Sequence, residues 1–346
     1  MFSYNAVKRL CCILALLVSC ETPAVAWGPQ GHMLVGSLAT DLLTSNARKH
    51  VKSILGYSLA TAAKWPDCVR SVVRHTDGTF EYVVNPQYQP PCDAFMKPKS
   101  EVRRMEDYAS RNWDNCDGDG GSCAATYHFA DIPIDLNSYG ANEIGAADHD
   151  VVHAIQAATA VLQDQAAPAP FSIKDKKEAL LLIAHFVGDI HQPLHVGSIY
   201  LTSNGTPANP SDAAEAKSEF TRGGNFICLK TTNLHSEWDA IPATWDVDKI
   251  SKTRRAKFLS SAQAVPKSTG PLQVWPETWA TDSIGAAKTA FTGLSFSPTT
   301  GKCQNAKWDG SADDSKAYAG KRKSLQEKRI ESAAARLAQL LNAVWP

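Results

Sequence analysis

The chain has 346 residues, with 35 lysines and arginines against 35 aspartates and glutamates, 44% hydrophobic residues and 20% charged ones. That length buries a sizeable core in one large domain or two ordinary ones, and the composition excludes disordered, collagenous and low-complexity classes. A formal net charge of zero offers no basic face of the kind a generic nucleic-acid binder carries.

Residues 1–26 read as a secretory leader: Lys8 and Arg9, the apolar run Leu10 to Val18, then Ala24-Val25-Ala26 as a small-x-small cleavage site. The apolar run is too short to span a bilayer, so no membrane anchor is expected. A rival reading is Leu17-Val18-Ser19-Cys20 as a bacterial lipoprotein box, which would lipidate Cys20. Cleavage after Ala26 removes Cys11, Cys12 and Cys20 and leaves six cysteines: Cys68, Cys92, Cys116, Cys123, Cys228 and Cys303. An even set suits disulfides in a secreted or periplasmic protein. Spacing selects only the pair Cys116 and Cys123, which closes a Gly-Asp-rich turn; that turn lacks the downstream Glu of a calcium loop. No Cys-x-x-Cys is present, which argues against a cysteine zinc site or a redox role.

Past the leader, apolar residues at helical spacing predict helices over Gly31 to Leu43, Asp148 to Gln165 and Ser172 to Ile190, the last opened by a Ser172/Asp175 capping box. A further helix is expected from Ser315 to Val344, and extended segments only at Glu81 to Val84 and Phe226 to Leu229. Tyr88 to Ser122 and Thr202 to Gly224 read as insertions or long loops. The second contains the glycosylation sequon Asn204-Gly205-Thr206. The expectation is one all-α, mainly helical domain over residues 27–346 with two loop insertions.

The segment from Ala184 to His195 carries the most chemistry. His185 and Asp189 stand four apart on one helix face, so an imidazole and a carboxylate can reach one metal ion. Pro193 ends the helix and lets His195 approach from another direction. His235 and Asp239 repeat the His-x-x-x-Asp spacing, and both pairs offer nitrogen and hard oxygen, the ligands zinc takes. A single such pair is ordinarily a surface ion pair or a satisfied core histidine, and periodicity alone leaves that choice open. His50, His75, His149, His153 and His191 fit no ligand motif and read as structural or exposed.

Together with Trp27-Gly28-Pro29-Gln30-Gly31-His32, Trp65-Pro66-Asp67-Cys68-Val69-Arg70 and the His128-Phe129 pair, these motifs resemble the S1/P1 family of zinc-dependent single-strand nucleases. The resemblance runs in family order to Asp239 and covers most of the mature chain. It implies three zinc ions: one on Asp67, His128, His185 and Asp189; one on His195, His235 and Asp239; and one on His32 with the amino and carbonyl groups of Trp27, Asp189 bridging. An α-amino ligand exists only after leader cleavage exposes it, and lipidation at Cys20 conflicts with that.

The resemblance further implies hydrolysis of single-stranded DNA and RNA to 5′-phosphorylated products and removal of 3′-phosphate from nucleotides; a monomer is expected. Asp67, Arg70 and Asp189 would serve catalysis; Phe129 and Asp131 would bind the base, and Asn225 would touch substrate, although a glycine-rich turn is its simpler reading. Metal charge, rather than Lys and Arg, would then attract phosphate. The 61 positions from Asp67 to His128, and the 40 from His195 to His235, exceed the family's usual spacing and put base preference in doubt. Two alternatives stand beside this reading. Zinc-dependent phospholipases C share the fold and ligand order but carry Glu where Asp239 stands, and a non-catalytic zinc-binding envelope protein would need the ligands alone.

Overall fold

Apolar residues at helical spacing organise the chain around one central helix. The computed structural model describes residues 27–85, 91–116 and 122–346, so the expected leader lies outside the described residues. Among the described residues are thirteen α-helices and short strands, a mainly helical architecture as expected. None of the described helices is long and apolar enough to cross a membrane.

The central helix, Lys176–Asp189, is buried on every side from Glu178 onward. Helices Val151–Leu162, Pro29–Leu42, Trp65–Val69 and Ser315–Val344 surround it. A helix apolar all round is stable only when covered in this way, and it carries His185 and Asp189 into the middle of the molecule. Its start differs from the sequence expectation. Asp175, not Ser172, is the N-cap and accepts from the Glu178 N–H, while Glu178 reaches back to the Lys174 N–H. Ser172 is drawn away from the helix because its carbonyl accepts from Arg111 and Asn112 and its N–H donates to Asn112.

Region 88–122 is not simply a loop. It holds the helix Lys99–Arg111, which buries Met105, Tyr108 and Ala109 and sends Arg111 to Glu178 at 2.7 Å. Its many charges mask that apolar stripe in the sequence. Cys68–Cys92 fastens this region beside Asp67, Cys116–Cys123 is the pair expected from spacing, the turn between them at 117–121 lying outside the described residues, and Cys228 is bonded to Cys303. Region 202–224 contains the strand Pro207–Ala208, paired with Tyr200–Leu201, and the helix Ala213–Glu219.

A second, smaller core lies under a four-stranded sheet that the sequence only half announces. Ile227–Leu229 is expected, but it pairs in parallel with Trp308–Ala312, which pairs in turn with Leu294–Pro298. Those last two strands carry Ser, Gly and Pro on partly exposed positions. Distant pairing and the Cys228–Cys303 bond create them, rather than local preference.

Candidate metal centre

Asp189 sits at the C-terminal end of the central helix, and its two oxygens face different neighbours. Oδ1 lies 3.2 Å from His32 Nε2; Oδ2 lies 3.1 Å from His185 Nε2 and 3.0 Å from His128 Nδ1. Asp67, on the short helix Trp65–Val69 that Pro66 opens, stands 4.0 Å from His185 Nε2. Beyond the helix, Gln192 is extended before Pro193, and the turn Pro193–His195 brings His195 Nε2 to 3.0 Å from His235 Nε2. Asp239 Oδ2 lies 3.7 Å from His235 Nε2. Three groups result among the described residues: His32, His185 and Asp189; Asp67, His128 and His185; His195, His235 and Asp239.

Outer hydrogen bonds fix which ring nitrogen faces inward. His185 Nδ1 donates to the Ala63 carbonyl at 2.6 Å, His195 Nδ1 to the His128 carbonyl at 2.8 Å and His235 Nδ1 to the Gly223 carbonyl at 2.8 Å. The Nε2 lone pairs of His195 and His235 therefore point at one another, whereas Asp189 and Asp67 raise the His185 imidazole above its ordinary pKa despite its burial. Burial holds the imidazoles of His32, His195 and His235 below their ordinary pKa and that of His128 at about 4, so these rings are neutral. Burial likewise raises Asp239, whereas Asp189 is held well below the usual range because His185, His128 and His32 outweigh its desolvation. Both nitrogens of His32, Asp67 Oδ1 and Asp189 Oδ1 are buried without a hydrogen-bond partner.

Buried neutral lone pairs converging without protons between them repel, and a cation among them reverses the sign. The residues therefore fit zinc: the donors are imidazole nitrogen and carboxylate oxygen, and His185, His195 and His235 are oriented from behind by backbone carbonyls, as metal-ligating histidines are. Gln192 does the same for Asp239, donating to Oδ1 at 2.7 Å. Trp27 is wholly buried beside this cluster, its indole N–H donating to the Gly188 carbonyl at 2.9 Å, and Gly28 N–H donates to the Asp239 carbonyl at 3.0 Å.

The remaining sequence-selected residues open onto the same cleft, of about 510 Å³, which Arg70, His128, Phe129, Asp131, His195, Asn225 and His235 all line. Short parallel pairing explains the assembly: Ala130 N–H donates to the His195 carbonyl at 2.8 Å and Ile132 N–H to the Val196 carbonyl at 2.9 Å. Arg70 caps the end of the Asp67 helix, 3.5 Å from Asp67 Oδ1. Asp131 is buried, and its desolvation raises its carboxyl to about 8 despite Arg222 and the Gly223 N–H. The sequence does not single out Arg222, which also lines the cleft and adopts a φ of 53°; its place beside Gly223-Gly224-Asn225 is the signal available. His191 is buried and structural, donating to Val187 and facing Arg336.

The S1/P1 nuclease family model matches residues 27–346. Among curated proteins, Endonuclease 1 of Arabidopsis thaliana is 24% identical over 99% of this chain and 95% of its own length. Endonuclease 4 of the same plant is 24% identical over 93% of this chain and 90% of its length, and Endonuclease 2 is 26% identical over 68% and 60%. A match that starts at Trp27 and runs through every group of buried ligands makes the chain a member of the zinc-dependent S1/P1 nuclease family, and a hydrolase of nucleic acid.

Proposed function

We propose that the chain is an endonuclease of single-stranded DNA and RNA that leaves 5′-phosphorylated ends and also removes 3′-phosphate from nucleotides. One observation carries this reading: His128, His195 and His235, from two of the buried His/Asp groups, line one cleft with Arg70, Phe129, Asp131 and Asn225. Asp67, His128, His185 and Asp189 would hold one zinc, His195, His235 and Asp239 a second, and His32 with the Trp27 amino and carbonyl groups a third. The third site requires cleavage after Ala26, so the working protein would be residues 27–346, exported to a compartment where its three disulfides persist.

Zinc bound at these residues supplies Lewis acidity, which acidifies water near neutral pH and offsets charge building on phosphate. The chain's own groups do the rest. Backbone carbonyls of Ala63, His128 and Gly223 hold the ligand rings in one tautomer. Arg70 donates to phosphate oxygens as their charge grows. Phe129 offers a ring face to a base, while Asp131 and Asn225 meet its polar edge. A base must leave its stack to enter such a pocket, so a duplex is a poor substrate.

The test is hydrolysis of a single-stranded oligonucleotide, its duplex and phosphatidylcholine by purified protein, with bound zinc counted before and after chelation. Cleavage of the single strand that is lost on chelation and restored by zinc is expected. Lipid cleavage without nucleotide release would select the phospholipase reading, and zinc binding without hydrolysis would select a storage role.

A further inference from the structure

Asp131 stands between two hollows. On one side is the cleft that His128, His195 and His235 line; on the other is an open hollow whose border includes Asp131, Glu143, Gly145, Tyr200, Lys217 and Phe220. None of the candidate zinc ligands borders the second hollow. Its walls are tied rigidly to Asp131. The Tyr200 hydroxyl donates to the Asp131 carbonyl at 2.7 Å, and the backbones of Tyr200 and Phe220 form an antiparallel bridge with their rings 6.2 Å apart. Opposite, Asp131 N–H donates to the Gly145 carbonyl at 2.9 Å. Gly145 has a φ of 85°, and a Cβ there would lie 2.1 Å from the Asp131 carbonyl oxygen, so only glycine permits this approach.

We propose that this hollow is a second base subsite, which takes the nucleotide adjoining the one held at Phe129 and Asp131. The occupant follows from continuity: a strand with one base against Asp131 has its next nucleotide on the far side of that residue, away from the scissile bond. The half-buried Phe220 ring stacks on that base, and the exposed Lys217 meets its phosphate. Both belong to region 202–224, which gives that stretch a task in gripping polymeric substrate. The inference rests on the nucleic-acid reading of the cleft.

The experiment compares zinc-loaded wild type with Phe220→Ala on a ten-nucleotide single strand and on a dinucleotide, which has one scissile bond and nothing to place in the hollow. Loss of one stacking partner raises KM for the ten-mer about tenfold, with kcat/KM for the dinucleotide within about twofold of wild type. Phe220→Trp restores the ten-mer KM; Phe220→Leu keeps apolar bulk without a π face and does not. Equal losses on both substrates, or an unchanged ten-mer KM, overturn the subsite. Fluorescence-anisotropy binding of the ten-mer keeps the two readings separable. A wild type that binds the strand through Phe220 without cleaving it refutes the nuclease activity and leaves the subsite standing.

Discussion

Gly188→Ala offers the sharpest test of the metal centre, because one methyl group addresses one ligand. A Cβ at position 188 would lie 2.8 Å from His32 Nδ1 and 3.1 Å from its Cε1. The ring has little room to retreat: its other face of contact is His185, stacked with centroids 3.8 Å apart at 13°, and its Nε2 faces Asp189 Oδ1 at 3.2 Å. Ordinary contact demands about 3.5 Å, so His32 must move by about 0.7 Å. Metal sites tolerate only about 0.2 Å. Displacing one orienting contact costs about 10–100-fold in metal affinity, and a misplacement approaching 1 Å costs up to about 100-fold in kcat/KM. Folding survives, because alanine favours the helix by about 1 kcal/mol while overpacking costs about 1–3 kcal/mol. The assay combines thermal melting, zinc counting and kcat/KM on a single strand. Gly285→Ala, where nothing lies within 4 Å of the added Cβ, is the control and leaves activity unchanged. A folded Gly188→Ala protein with full zinc content and activity within twofold of wild type would refute the reasoning.

Arg70→Lys keeps the charge but loses the planar fork, so kcat on a single strand falls at least about tenfold with zinc content intact; an unchanged kcat contradicts the phosphate role. One residue added before Trp27 in the mature chain lowers zinc content and activity together, read by metal analysis, and an unaffected variant removes the terminal amine from the ligand set. Asp131 ionises at about 8 in the fold against an ordinary 3.8, so its contribution to stability is greatest below pH 3.8 and declines as pH rises towards 8. Asp131→Asn in zinc-free protein therefore raises Tm more at pH 8 than at pH 5, while weakening nucleotide binding; a Tm gain independent of pH refutes the assignment.

Much of the site is legible along the chain because its ligands come in short local patterns. His185 and Asp189 meet through helical spacing, His235 and Asp239 through the same spacing on the helix Leu234–Asp239, and Pro193 announces the turn that carries His195. The long helix Ser315–Val344 has the expected bounds. Other features have no local signature. Asp175 displaces Ser172 as cap because Arg111 and Asn112, some sixty residues away, claim the Ser172 carbonyl. Strands Leu294–Pro298 and Trp308–Ala312 exist through pairing with Ile227–Leu229.

Sequence alone determined which residue types are present for zinc and nucleic-acid chemistry, and in what order. Tertiary structure alone decided that the Asp189 oxygens face separate histidines, that His195 and His235 point bare lone pairs at each other, and that Arg222 joins Asp131 in the cleft. The physical reason is range. Periodicity and turn chemistry act over a few residues, whereas the convergence of lone pairs is fixed by carbonyls at Ala63, His128 and Gly223, which only the packed core brings behind each ring.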